Sequence, residues 1–151
     1  MPYILEIFRS LLTPVIGCVT VYIAYQQWQT NKRKFVFDRY DRRLRVYEEV
    51  RKILSIITRD ATVSYEDLLK FRTSVSDADF LFGPEISNYI DEIYEHGMKL
   101  RLLTEKHNSK LKSEDFDSRK NAKEMSDELR WLMTQIKSAK QKFRKYLDIS
   151  Y

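Results

Sequence analysis

The hydrophobic and polar positions divide the chain into an uncharged stretch near its start and several amphipathic segments after it. Residues 10–31, SLLTPVIGCVTVYIAYQQWQTN, contain no charged side chain. As a helix with a rise of ~1.5 Å per residue, a stretch of this length extends roughly 33 Å, which is enough to cross a bilayer core. The pattern therefore predicts a membrane span.

Two other interpretations of this stretch stay open. A secretory signal needs a basic start and a small-residue cleavage site, but residues 1–10 carry one acidic and one basic side chain and no such site follows. A buried helix of a soluble domain would show a polar stripe, whereas residues 11–25 are polar only at Thr13 and Thr20. Both alternatives fit the pattern less well than a span.

Aromatic and basic residues at the end of the stretch favour the span. Trp28 lies near the end of the stretch, and Lys32, Arg33 and Lys34 follow the stretch at once. Such residues concentrate where a span meets the headgroups. We therefore assign these four residues to membrane anchoring. Because positive charge stays inside, the C-terminus is expected in the cytoplasm.

Apolar residues recur every three or four positions between residues 32 and 59, and nothing there breaks a helix. The stripe consists of Tyr40, Leu44, Tyr47, Val50, Leu54 and Ile57. It is compatible with one continuous helix through the span and this segment. The arginines nearest the span, which are drawn to anionic lipid, are Arg39, Arg42, Arg43 and Arg45.

Three further helices are predicted. Ser64, with an acidic residue three positions later, begins a short helix that extends to about residue 73. A loop follows in which residues 80–82 fill the core, and Pro84 begins a helix that ends near residue 105. Its apolar stripe consists of Ile86, Ile90, Ile93, Gly97 and Leu100.

The last helix has the strongest periodicity. After a polar loop at residues 106–117, a helix is predicted from about residue 118 with a seam in which apolar residues alternate four and three positions apart. The seam consists of Met125, Leu129, Leu132, Ile136, Ala139, Phe143 and Tyr146. One helix cannot bury such a seam alone, so it packs either on the other helices or on copies of itself.

The predicted fold class is therefore all-α, with an N-terminal transmembrane helix that continues into a small cytoplasmic helical bundle. Residues 1–31 form the membrane anchor and residues 32–151 the cytoplasmic helical domain. The chain has 3 Gly, 3 Pro and 1 Cys, so it is neither a disordered chain nor a disulfide scaffold.

Catalytic and metal-binding patterns are missing from the sequence. With 2 His and 1 Cys, no zinc-ligand spacing and no Cys–His or Ser–His–Asp grouping can be proposed. With 3 Gly there is no phosphate-cradling loop. We expect no enzyme, no catalytic residues, no metal and no cofactor.

Basic residues form a line along the last helix, away from its seam. Arg130, Lys137 and Arg144 recur every seven positions, and Lys140 widens the line near its end. A run of charges is typical of a solvated face, and that interpretation stays open. The alternative is that these four residues bind an anionic ligand or nucleic acid, because Lys and Arg neutralise phosphates.

Two segments carry a resemblance: YIAYQQWQTNKRKFVFDRYDRRLRVYEEVRKIL within residues 21–54 and FLFGPEISNYIDEIY at residues 80–94. They resemble small bacterial single-span membrane proteins with a helical cytoplasmic domain. The layout is similar to membrane effectors of antiviral systems, among them type III CRISPR accessory proteins whose soluble domain recognises a cyclic oligoadenylate. The resemblance implies a bacterial inner-membrane location, and no ligand-binding residue is carried over from it.

These observations favour a membrane-anchored effector in antiviral defence. Its basic helical domain would sense an anionic signal, such as a cyclic oligonucleotide, as a homo-oligomer and act on the inner membrane. The alternative is a membrane scaffold that tethers a protein partner through its cytoplasmic helices, with Trp131 as a contact residue.

Overall fold

The computed structural model describes residues 2–110 and 118–148. Within that part the chain is all-α and contains no strand. The five helices are α1 (Pro2–Asp60), α2 (Tyr65–Ser74), α3 (Ala78–Leu81), α4 (Pro84–Lys110) and α5 (Ser118–Leu147). The predicted fold class is confirmed at this level, and α1 is the continuous helix that the pattern allowed.

The chain divides into two compact units, Met1–Arg39 and Tyr40–Tyr151. The described residues of the first unit lie in α1, and large apolar side chains are exposed along them. The second unit contains the end of α1 and the other four helices, and it holds the hydrophobic core.

The predicted membrane span is wrong. No helix in the described residues combines the length and the apolar character that crossing a bilayer requires. The prediction rested on the absence of charge, but residues 26–31 (QQWQTN) are uncharged and mostly hydrophilic, so they shorten the apolar part of the stretch. The single-pass inner-membrane location is withdrawn with the span. The lipid bilayer as a partner and the anchoring roles of Trp28, Lys32, Arg33 and Lys34 stay predictions from the sequence.

The core of the second unit forms because apolar stripes on α1, α4 and α5 face one another. Val50, Leu54 and Ile57 of α1 are fully buried, as are Ile86 and Ile93 of α4. Tyr47 contacts Phe143 of α5 with ring centroids 5.3 Å apart. The predicted stripes of α1 and α4 are thus confirmed as core, with the first three residues of the α1 stripe, Tyr40, Leu44 and Tyr47, half-buried.

Local signals set the beginnings of α2 and α4. The Ser64 hydroxyl accepts a hydrogen bond from the Asp67 backbone N–H at 3.0 Å, which satisfies one of the unpaired donors of the first turn. Pro84 occupies the first position of α4, where its missing N–H costs nothing. Both predicted starts are confirmed.

Three local predictions need correction. Residues 106–110 are helical rather than loop, because this polar segment contains no Gly or Pro that would end the helix. The rest of the predicted loop, residues 111–117, lies outside the described part. Phe80 is 91% exposed while Phe82 is buried, since the short helix α3 turns residues two apart to opposite sides. Ile136 is exposed and Gln135 is buried in its place.

The α5 seam, apart from Ile136, packs within the second unit. Leu132, Ala139 and Phe143 are fully buried, and these residues belong to one core with the stripes of α1 and α4. Of the two alternatives left open by the sequence, these three residues therefore pack on other helices of the same chain.

Arg43 is held inside the fold rather than at a lipid surface. Its Nε donates to the Leu81 carbonyl at 2.9 Å, and a terminal guanidinium nitrogen donates to the Tyr146 carbonyl at 3.4 Å. These are carbonyls at the ends of α3 and α5, which lack partners within their own helices. Arg43 thus joins α1 to the C-terminal ends of two other helices.

Candidate anion-binding groove

The candidate site is built on the C-terminal half of α5. Because Phe143 and Ala139 fix one face of this helix in the core, the neighbouring face is turned to solvent. Lys137, Lys140 and Arg144 follow one another at spacings of three and four, so they share that outer face. All three side chains are exposed.

These three cations border an open groove of about 660 Å³, referred to below as the basic groove. Its other lining residues are Tyr47, Gln141, Leu147 and Asp148. A volume of this size lies in the range of small-molecule sites. The groove combines three cations, an aromatic ring from α1 and a side-chain amide, with Asp148 as the acidic residue of the lining.

The basic residues in the C-terminal half of α5 fall into two groups. Glu85, in the first turn of α4, pairs with Lys145 and lies 4.0 Å from the Lys142 ammonium. The hydrogen bond from Lys145 holds the pKa of the Glu85 carboxyl below its ordinary value, with burial acting in the opposite direction. These two lysines are thus already compensated by the fold.

The three cations of the basic groove have no such compensation. Among the described residues, none of Lys137, Lys140 and Arg144 takes part in an ion pair or a side-chain hydrogen bond. Like charges one turn apart repel one another unless water or an anion lies between them. The groove is therefore a place where a bound anion would lower the electrostatic energy of the folded chain.

The structure brings together three of the four predicted ligand-binding residues. Arg130 does not line the groove; it is exposed two turns earlier on α5 than Lys137. Sequence reasoning missed Tyr47 and Gln141. The sequence pattern places Tyr47 in the core stripe of α1. Its half-buried ring packs on Phe143 and also lines the groove.

Two of the residues predicted to anchor the chain contact each other within α1. The Lys32 ammonium lies 3.9 Å from the centroid of the Trp28 ring, which is a cation–π arrangement.

A second polar cluster joins α4 to α5. Glu128 is 6% exposed, and its two carboxylate oxygens bond to Nδ1 of His96 and to the Lys99 ammonium. Trp131 stacks on the His96 ring with centroids 3.7 Å apart. Burial by itself would raise the pKa of the Glu128 carboxyl, but the hydrogen bonds from Lys99 and His96 outweigh it and hold the pKa below its ordinary value.

Sequence reasoning missed this cluster because its members lie about 30 residues apart on two helices. Every polar atom just described has a partner inside the cluster, so its role in the structure is to hold α4 against α5. No three His, Cys, Asp or Glu side chains in the described part of the chain lie close enough to hold a metal ion.

Comparisons with protein families, with curated proteins and with solved structures find no match to this chain. The resemblance to membrane effectors of antiviral systems therefore stays a prediction from the two sequence segments. The functional argument has to be made from the groove.

Proposed function

We propose that the second unit is a binding domain for a phosphate-bearing ligand of the nucleotide class, and that the basic groove is its site. The observation that carries the proposal is the contrast within one helix. Lys142 and Lys145 are compensated by Glu85, whereas Lys137, Lys140 and Arg144 border a concavity and form no ion pair among the described residues.

The composition of the groove supports a nucleotide rather than a bare phosphate. Lysine and arginine bind phosphate oxygens through charge-assisted hydrogen bonds. Tyr47 supplies an aromatic surface of the kind on which bases stack, and Gln141 supplies both a donor and an acceptor for a base edge. Asp148 in the lining disfavours a ligand that places negative charge at every position.

The sensing role follows from the same groove. A cyclic oligonucleotide presents several phosphates and several bases in one compact ring, which matches a site with three cations and one aromatic residue. We propose that the chain acts without catalysis, by responding to such a signal, and the role in antiviral defence is part of this proposal.

The experiment is calorimetric titration of the full chain with cyclic oligonucleotides, linear oligonucleotides and inorganic phosphate at two salt concentrations. In the test variant Lys137, Lys140 and Arg144 are all replaced by Ala. The matched control replaces Arg119, Lys123 and Arg130, which are exposed on the same helix away from the groove, so both variants lose the same charge.

We expect saturable binding of one nucleotide ligand, an affinity loss of about 100-fold or more in the groove variant, and little change in the control. The dependence of log affinity on log salt should become shallower by about 2 in the groove variant. Equal losses in both variants would mean that the chain attracts anions only through its general positive charge, and would overturn the site.

The scaffold alternative is favoured by one observation on α5. Met133 and Ile136, one turn apart, leave apolar side chains exposed that a protein partner would cover. Trp131 does not support it, since its ring is stacked on His96. If no nucleotide binds saturably in the titration, the scaffold becomes the better account of the second unit.

A further inference from the structure

The first unit carries a heptad seam of its own. Leu12, Ile16, Val19 and Ile23 are spaced four, three and four residues apart, which is the alternation of the a and d positions of a coiled coil. All four side chains are exposed in α1. We name these four residues the α1 seam.

The area on the seam side of this helix reaches the lower end of specific interfaces. Between residues 3 and 28 the structure shows twelve large apolar side chains, each at least 49% exposed, but they lie around the whole circumference. The α1 seam and the flanking Val15 and Tyr22 lie on one side. At roughly 100 Å² each, these six side chains offer about 600 Å² per copy, so a pair buries about 1,200 Å² in total.

Charge also favours a partner identical to this chain. Residues 10–31 contain no charged side chain, so two copies of the helix can approach without burying a charge or bringing like charges together. Ile16 and Ile23 occupy the a positions, and Leu12 and Val19 occupy the d positions. A β-branched residue at both a positions is the choice typical of two-stranded coiled coils.

We propose that α1 associates through the α1 seam with the same segment of a second copy of this chain. The contact lies entirely within the first unit and does not depend on whether the basic groove binds a ligand. Exposed apolar surface of this extent is typical of an interaction site, and a second copy supplies an equal and matching surface for one side of the helix.

A different face of the same helix could compete for the contact. A concavity of about 600 Å³ is lined by Pro14, Gly17, Cys18, Val21, Tyr22 and Tyr25. Val21 is two positions from Val19, so at 3.6 residues per turn the two valines point to nearly opposite sides. They allow the two faces to be tested with the same substitution.

The experiment compares full-length wild type, Val19→Asn and Val21→Asn by sedimentation over a wide range of concentrations in detergent-free buffer. Both variants make the same chemical change in the same helix, so their effect on helix propensity is equal. We expect wild type to associate, Val19→Asn to raise the dissociation constant by at least about tenfold, and Val21→Asn to leave it nearly unchanged. Circular dichroism of each variant shows whether the helices are retained.

Three results would overturn the proposal. A wild type that stays monomeric at every concentration would exclude the second copy as the partner. Association that is weakened by Val21→Asn and not by Val19→Asn would place the contact on the face around Gly17. A monomeric chain that binds phosphatidylcholine vesicles would identify lipid as the occupant of the apolar surface.

Discussion

Two heptad seams lie in this chain, and they differ in what covers them. On α5, Leu132, Ala139 and Phe143 are fully buried by other helices of the second unit. On α1, the α1 seam has the same spacing and a similar apolar character, but its side chains are about half exposed. The spacing predicts that one face of a helix is apolar. Whether that face is buried within the same unit depends on the other helices of the unit.

The α5 seam has partners because other apolar stripes belong to the same unit. Phe143 contacts Tyr47 of α1 and lies edge-on to Phe82, with centroids 5.2 Å apart. Polar residues next to the seam are also paired: the Tyr89 hydroxyl donates to the Gln135 carbonyl at 2.9 Å. The α1 seam has no other helix within the first unit to contact, because the described residues of that unit belong to α1 alone.

The sharpest test of the difference truncates one residue of each seam. Phe143→Ala removes a fully buried ring from the core of the second unit, so we expect it to lower the free energy of unfolding by about 3–5 kcal/mol. Ile23→Ala should lower it by less than about 0.5 kcal/mol at a concentration where the chain is monomeric. Urea denaturation followed by circular dichroism measures both, and equal losses would contradict the comparison.

A polar residue of α5 offers a second test. Glu128→Gln leaves Lys99 and His96 without a carboxylate partner, so we expect a loss of about 1–3 kcal/mol at neutral pH. Asp127→Asn, at the exposed neighbouring position, is the matched control and should cost little.

The pH dependence follows from the direction of the pKa shift. Because the folded-state pKa of Glu128 lies below its ordinary value of 4.5, its contribution to stability is present above that pH and is lost as the pH falls through the folded-state pKa. The stability gap between wild type and Glu128→Gln should therefore narrow below about pH 4.5. A gap that stays constant down to pH 2 would show that the carboxylate charge does not matter.

A smaller loss of stability than for Phe143→Ala or Glu128→Gln is expected at a helix cap outside both seams. Ser64→Ala removes the side-chain acceptor for the Asp67 N–H at the start of α2, so the second unit should lose about 1 kcal/mol. Ser64→Thr keeps an acceptor oxygen and should restore most of the loss. If thermal denaturation shows the two variants to be equally destabilised, the cap does not act through its hydrogen bond.

Local patterns in the sequence predicted much of the second unit. The Ile86 to Leu100 stripe and the start of α2 follow from helical period and capping chemistry, which act over a few residues. The basic line on α5 was predicted for the same reason. That Lys137, Lys140 and Arg144 face a groove, whereas Arg130 does not, depends on α1 lying alongside, and no local pattern records this.

Contacts between distant positions were out of reach. The Glu128 cluster joins residues about 30 positions apart, and the compensation of Lys145 by Glu85 spans 60 positions. Arg43 was expected among the arginines drawn to anionic lipid because its partners, the carbonyls at the ends of α3 and α5, come together with it only in the folded chain. The mistaken span shows a different limit, since absence of charge is not the same as apolar character.

The two tryptophans of the chain fall one to each unit, and each lies against a different neighbour. Trp28 lies below the Lys32 ammonium in the first unit, and Trp131 is stacked on His96 between α4 and α5 in the second. Each unit thus carries its own intrinsic fluorophore. The tryptophan emission of a chain with Trp28→Phe comes only from the second unit, and that of a chain with Trp131→Phe comes only from the first. The folding of one unit and the association of the other can therefore be observed separately without any added label.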